Sequence, residues 1–246
     1  MDVNTDRLNA FMGKMLGDMG ATANAALIKI GDRLGLYKTL AAKGPMTAAD
    51  LAKTTGTNER CVREWLSAQT ASGYVDYDPT SRAFSMQPEQ AMVFADEDSP
   101  VFMGGIGDLM AAMVLDEPKV ADAFKNSKGL GWNDRAECLF CGTARFFRTT
   151  YKHHLIQEWL PALDCVVSKL ERGARVADIG CGHGASTIMM AKAYPNSKFF
   201  GFDAHPGSID AARKAAQAEG LGDQVSFAVA TAKTIPANGY DLVCFF

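Results

Sequence analysis

Asp178, Gly180, Gly182 and Gly184 alternate through the stretch Arg175-Val-Ala-Asp-Ile-Gly-Cys-Gly-His-Gly184, and these residue types at this spacing suit a nucleotide-like ligand. Glycines permit a sharp turn and a close approach of backbone N–H groups to a ligand at a helix N-terminus. Gly180-x-Gly182-x-x-Ala185 also fits the dinucleotide fingerprint, whose last position accepts alanine. Asp178 stands two residues before the first glycine, where a strand delivers its side chain to the mouth of the turn. A pyrophosphate there would face a carboxylate, whereas a ligand carrying an ammonium and a sulfonium would be attracted. Asp203, nineteen residues after Gly184, can accept both hydroxyls of a ribose. Dinucleotide-binding folds place an acid at about this distance too, so Asp203 supports a nucleoside without choosing one.

An α/β alternation positions these residues. Val176, Ala177 and Ile179 read as a buried parallel strand and Ala185 to Ala193 as the helix after it. Lys198 to Phe202 is a second strand. Pro206 to Glu219 is a helix with proline at its start and Gly220 past its end. Gln224 to Val229 is a third strand and Tyr240 to Phe246 a fourth, with Asp241 at its entrance in a structural role. In a doubly wound sheet ordered third, second, first, fourth, this last strand would be an apolar edge, so the natural chain is expected to continue past Phe246.

Asp178-Ile-Gly180-Cys-Gly182-His-Gly184 resembles motif I of the class I S-adenosyl-L-methionine (SAM) dependent methyltransferases, D-x-G-x-G-x-G, and Tyr240 to Phe246 is similar to their motif IV. The resemblance implies the first half of a Rossmann-like sheet and SAM as cofactor, held by Asp178, Gly180, Gly182, Gly184, Asp203 and Ala204. It places adenine contacts at Ala230-Thr231-Ala232, with Thr231 and Ala232 as candidates; many relatives carry an acid there that this chain lacks. In the related O-methyltransferases the catalytic base lies beyond motif IV, so no catalytic residue is named, and His183 is taken as a variable loop position. The cluster Arg145, Phe146, Phe147, Arg148 and Tyr151 could form a lid, Phe147 and Tyr151 facing the sulfonium through a cation–π contact. Interdomain core is the alternative role for these aromatics.

The N-terminal third has a different pattern. Asn24 to Ala42 reads as one apolar-periodic helix, and Thr47-Ala-Ala-Asp50 opens a second as a capping-box variant. After Gly56, Asn58 to Ser72 is a third helix, followed by a hairpin of Gly73 to Tyr77, the turn Asp78 to Ser81, and Arg82 to Met86. Three helices and a wing describe a winged helix. Between Thr47 and Met86, Lys53, Arg60, Arg63 and Arg82 face Asp50, Glu59, Glu64, Asp76 and Asp78, one more acid than base. Duplex DNA binding needs phosphate neutralisation, so DNA is disfavoured as a partner. Residues 87–172 are mostly helical, with Pro100 and Pro118 expected at helix starts, Lys128 to Trp132 a loop, and helices over Ala144 to Leu160 and Pro161 to Leu170.

The expected organisation is a winged-helix dimerisation domain over 1–86, a helical connector or lid over 87–172, and a SAM-binding Rossmann-like domain over 173–246. The whole chain resembles bacterial winged-helix methyltransferases related to the small-molecule O-methyltransferases. That resemblance implies methyl transfer to a small-molecule acceptor, with oxygen as the acceptor atom, and a homodimer formed through the N-terminal domain. A SAM-sensing transcriptional regulator and an NAD(P)-dependent oxidoreductase are the alternatives.

The chain has 246 residues, 48% of them apolar, and a net charge of −3, enough material for two cores. No apolar run approaches a membrane span, and a cytoplasmic location with reduced cysteines is expected. Cys138-Leu-Phe-Cys141 lacks the second ligand pair of a zinc site and reads as structural. Adjacent His153 and His154 would diverge by about 100° on a helix, which suits solvation or capping rather than one metal.

Overall fold

Gly35, at φ 67°, divides what the apolar periodicity presents as one helix. α1 (Thr5–Arg33) ends before it and α2 (Leu36–Lys43) begins after it, because a left-handed residue cannot continue a right-handed helix. The structure is a computed structural model that describes residues 3–236 and 239–246. It comprises two compact units, Met1–Ala111 and Ala112–Phe246. α6 (Ile106–Asn126) begins in the first and continues in the second.

In the first unit, α3 (Ala48–Thr55) is capped by Thr47, whose hydroxyl accepts the Asp50 amide at 3.2 Å and donates to the Asp50 carboxylate at 2.7 Å. Asp50 thus closes the cap through the hydroxyl, where a capping box would have it reach the Thr47 amide. Asn58 caps α4 (Glu59–Ala71), accepting the Cys61 amide. The wing pairs β1 (Asp76–Asp78) antiparallel to β2 (Ala83–Ser85), and Phe84 also bridges Met46. Leu36, Tyr37, Leu51, Trp65 and Leu66 form the core beneath it. Tyr37 donates to Gln69 at 2.5 Å, and Gln69 donates on to Asn24, so these two side chains are paired within the core. α5 (Pro88–Phe94) stacks Phe94 on Tyr37, their ring centres 4.8 Å apart.

Neither expected proline start marks a helix. Pro100 lies in the loop before α6, and Pro118 lies inside it. α7 (Glu137–Thr150) runs without interruption into a nine-residue π-helical segment, Tyr151–Trp159, and α8 (Val166–Arg172) follows. Helices expected over 144–160 and 161–170 are therefore redistributed. π-Helical turns are uncommon and gather at functional sites; this one opens on Tyr151.

The sheet contains β3 (Arg175–Ile179), β4 (Lys198–Asp203), β5 (Val225–Val229) and β6 (Leu242–Phe245), all parallel and ordered β5-β4-β3-β6. α9 (Ala185–Ala193) and α10 (Pro206–Ala218) make the crossovers. Val176, Met190, Phe199, Ile209 and Phe227 are among the core residues between strands and helices. Central β3 is buried along nearly its whole length, which explains its unbroken apolar run. Asp241 ties β6 to β3: its carboxylate accepts the Arg175 amide at 2.9 Å, and its own amide donates to the Arg175 carbonyl.

Candidate functional site

The carboxyl ends of β3, β4, β5 and β6 surround a cavity of about 540 Å³, where open α/β sheets place their ligands. Its floor is the glycine turn. Gly182, at φ 53°, has open space where a Cβ would project, so backbone conformation alone selects glycine there. Gly184, at φ 79°, is constrained twice, since an added Cβ would lie 2.7 Å from the Phe227 ring and 3.0 Å from Ala212. It lets the start of α9 sit against the sheet and lines no part of the cavity.

Four backbone donors of this turn are already used. Gly180 and Cys181 donate to the Phe202 carbonyl at 2.7 and 3.1 Å, Gly184 donates to Cys181, and Gly182 donates to Asp203 Oδ2 at 3.0 Å. A pyrophosphate cradle needs such amides free. These four amides are therefore not offered to a phosphate.

Asp178 does not line the cavity. It is buried to 1% exposure, and its Oδ2 accepts the hydroxyls of Ser186 and Thr187, each at 2.6 Å. Burial raises its pKa, the two hydroxyls oppose that rise, and the nearby Asp203 adds to it. The carboxylate joins the end of β3 to the first turn of α9 and shapes the glycine turn from beneath. Expectation of a carboxylate at the mouth of the turn is corrected accordingly.

Asp203 does line the cavity, beside Gly180, Gly182 and Ala204. Its Oδ1 accepts the His205 amide at 2.8 Å and its Oδ2 the Gly182 amide, which fixes the carboxylate while leaving further lone pairs for a ligand diol. Thr231 and Ala232 line the same cavity with Ala230, whose amide donates to the Asp203 carbonyl at 3.0 Å. Thr231 is tied to Thr234, whose hydroxyl accepts its amide at 2.9 Å.

Phe147 and Tyr151 also border the cavity, 6.2 Å apart and stacked. Tyr151 contacts Phe246 at 5.5 Å, and Phe246 stacks on Trp159 at 6.0 Å, so the π-helical segment and the end of β6 share an aromatic cluster. Burial, with a smaller contribution from Asp178, pushes the Tyr151 hydroxyl up to about 12, so it stays protonated at neutral pH.

Of the ten residues expected at the site, the structure brings Gly180, Gly182, Asp203, Ala204, Thr231, Ala232, Phe147 and Tyr151 to one cavity and leaves Asp178 and Gly184 behind it. Trp132, Phe140 and His183 are among the lining residues that the sequence does not point to. Trp132 sits in a loop more than forty residues before the glycine turn, with no local pattern to connect them. His183 reads in the sequence as a variable loop position, yet it lines the cavity, where burial first, then His205, lowers its pKa against the pull of Asp203. Cys138 and Cys141 lie on α7, and His154 pairs with Glu158 at 2.8 Å within the π-helical segment.

Comparison with known proteins agrees with this architecture. Residues 22–95 match the family model described as Rv2258c-like winged HTH domain, and residues 176–246 match Methyltransferase domain. A 71-residue stretch is 38% identical to the trans-aconitate 2-methyltransferase of Streptomyces avermitilis, covering 28% of this chain and 26% of that protein. The chain thus matches about a quarter of the length of that curated relative. Among solved structures, PigF with SAH is similar at TM-score 0.67 and 19% identity, over 99% of this chain and 71% of that one. The mitomycin 7-O-methyltransferase MmcR is similar at TM-score 0.62 and 20% identity, over 98% and 72%. At those identities the structural likeness establishes the fold. The chain has a methyltransferase-type α/β fold preceded by a winged-helix segment. No described helix is long and apolar enough to cross a membrane.

Proposed function

We propose that the protein binds SAM in the cavity at the strand ends and transfers its methyl group to a small-molecule acceptor, with oxygen as the acceptor atom. The observation that carries this reading is the cavity-lining Asp203, whose carboxylate is fixed by the Gly182 and His205 amides with lone pairs left for a ribose diol. It stands in a segment matching a methyltransferase family model. Oxygen is favoured because MmcR, of similar fold, is a 7-O-methyltransferase.

Several residues would hold the cofactor. Asp203 would accept the ribose hydroxyls, Ala230 to Ala232 would flank the adenine, and Phe147 and Tyr151 would face the sulfonium. SAM supplies an electrophilic methyl carbon, and the protein's contribution is to align the acceptor in line with it and to exclude water. Calorimetric titration with S-adenosylhomocysteine (SAH) tests the site: micromolar affinity that is lost in Asp203→Ala supports it, and equal affinity in both proteins removes Asp203 from it.

The homodimer through the N-terminal domain belongs to the same proposal. Along α1, Leu8, Phe11, Met12, Met15, Leu16 and Met19 are all exposed, and Leu8, Met12, Met15 and Met19 recur at spacings of four, three and four. Such a stripe is the seam of a helix–helix interface. Binding to DNA is disfavoured, since Arg63 on α4 is paired with Glu59 and the wing carries Asp76 and Asp78. A cytoplasmic location is supported by the buried thiols of Cys181 and Cys244; burial raises both, Cys244 to about 12, as suits reduced structural cysteines.

A further inference from the structure

The loop between α6 and α7 reaches the cavity through Trp132 and is held from both sides. On one side stands Asp116, a carboxylate on α6 with 1% exposure that does not line the cavity at the strand ends. Both of its oxygens lie within hydrogen-bond distance of the Ala136 amide, at 2.9 and 3.2 Å. Lys119 approaches Oδ1 at 3.5 Å and Arg135 approaches Oδ2 at 3.8 Å. Lys119 also donates to the Asp134 carbonyl, so three consecutive loop residues are gathered around one buried acid. On the other side, the Asn133 amide group donates to the Ala204 carbonyl at 3.2 Å, next to Asp203. Trp132 itself meets Phe140 edge to face at 5.5 Å, and Phe140 stacks on His205 at 3.9 Å.

A buried carboxylate is costly unless compensated, and nothing about a surface loop requires one. What its partners share is the path of residues 134–136, which sets where Trp132 and Asn133 stand. We infer that Asp116 is a positioning residue for ligand binding: through Ala136, Arg135 and Lys119 it holds the Trp132–Asn133 turn against Ala204, making Trp132 the outer wall over the Asp203 side of the cavity. This rests on the SAM reading for the identity of the ligand, though not for the geometry of the wall. Trp132 remains 48% exposed without a ligand. A nucleoside at Asp203 would cover that face.

The test labels the full chain with 5-fluorotryptophan, assigns the Trp132 fluorine resonance with Trp132→Phe, and titrates SAH into wild type, Asp116→Asn, Asp116→Ala and Asn133→Ala. In Asp116→Ala the Trp132 resonance is expected to move toward its solvent-exposed position without ligand, while those of Trp65 and Trp159 stay in place. SAH affinity should fall about tenfold in Asp116→Ala, as for loss of a charge-assisted hydrogen bond, and less in Asp116→Asn, which still offers Ala136 an acceptor. A folded Asp116→Ala with an unmoved Trp132 resonance and wild-type affinity overturns the inference. If Asp116→Ala does not fold, Arg135→Gln and Lys119→Gln carry the test from the surface, and a Trp132 resonance unmoved in both also overturns it. Should wild type fail to bind SAH, the cofactor reading falls, and the ligand-free Trp132 resonance still decides the positioning role.

Discussion

Asp203 accepts the amide of Gly182 at 3.0 Å, so the acid at the end of β4 holds the glycine turn at the end of β3 in the shape that a ligand meets. One carboxylate thereby serves two functions, organising the turn and presenting lone pairs to the cavity. Asp203→Asn keeps an acceptor for Gly182 but loses the charge and half of the diol-binding capacity, whereas Asp203→Ala loses all of these. SAH affinity is expected to fall at least tenfold in Asp203→Asn and below detection in Asp203→Ala, with about 1–3 kcal/mol of stability lost in the latter. Calorimetry and urea unfolding on the same proteins would separate the two effects.

Asp178 should behave differently because its partners are hydroxyls inside the protein. Its folded-state pKa is raised above the ordinary 3.8, chiefly by burial. Its contribution to stability is therefore fully present below about pH 4 and is lost as pH rises through the folded-state value. Asp178→Asn, whose side-chain oxygen still accepts from Ser186 and Thr187, should be as stable as wild type at pH 7 or more so, and should lack that decline. Asp178→Ala leaves two buried hydroxyls without their acceptor and should cost about 1–3 kcal/mol. Urea unfolding of the three proteins between pH 4 and 7 checks both statements; a wild type that gains stability over Asp178→Asn across that range would contradict them.

His183 gives the cavity a pH response. Its pKa lies below 6.5, so it is neutral at pH 7 and becomes a cation inside the cavity on acidification. A folded-state pKa depressed in this way contributes stability present above the unfolded value and lost as pH falls through the folded one. The same proton repels a sulfonium. As pH falls through the folded-state value of His183, SAM affinity should drop about threefold more than that of uncharged-sulfur SAH, given a partly solvated charge pair. Parallel titrations of SAM and SAH in wild type and His183→Asn measure it, the variant showing no such difference.

Local patterns that carry their own physics were legible in the sequence. The apolar runs of β3 and β4, the proline start of α10 and the glycine turn are each set by residues within a few positions of one another. Elements set by distant partners were not legible. Gly35 breaks a periodic apolar run, Pro118 sits inside α6, and α7 passes into a π-helical segment with no signal in its composition. The site divides along the same line. Asp203 was recoverable from spacing, but Asp178 lies buried because Ser186 and Thr187 follow it into α9, and Trp132 joins the cavity through Asp116 and Ala204.

The exposed stripe on α1 predicts an oligomeric state that charge should reverse. Phe11 and Met15 are 66% and 49% exposed, one helical turn apart. Phe11→Glu with Met15→Glu places like charges along the seam of any helix pair formed there. Sedimentation at tens of micromolar is expected to show a dimer for wild type and a monomer for the double variant, with the SAH affinity of each folded protein unchanged. A monomeric wild type would remove the stripe from consideration as a self-association surface.

Gly184 tests whether the turn and the sheet are one mechanical unit. Alanine there meets two obstacles, a backbone at φ 79° that disfavours any side chain and a Phe227 ring 2.7 Å from the new Cβ. The first costs about 1 kcal/mol and the second about 1–3 kcal/mol as overpacking. Phe227→Leu in the same chain should relieve only the second, so the double variant should recover part of the stability lost by Gly184→Ala and never all of it. Gly182→Ala has no steric obstacle and should lose about 1 kcal/mol through backbone strain alone. If unfolding free energies rank Gly182→Ala as the more damaging substitution, close packing of α9 against the sheet is not what selects glycine at position 184.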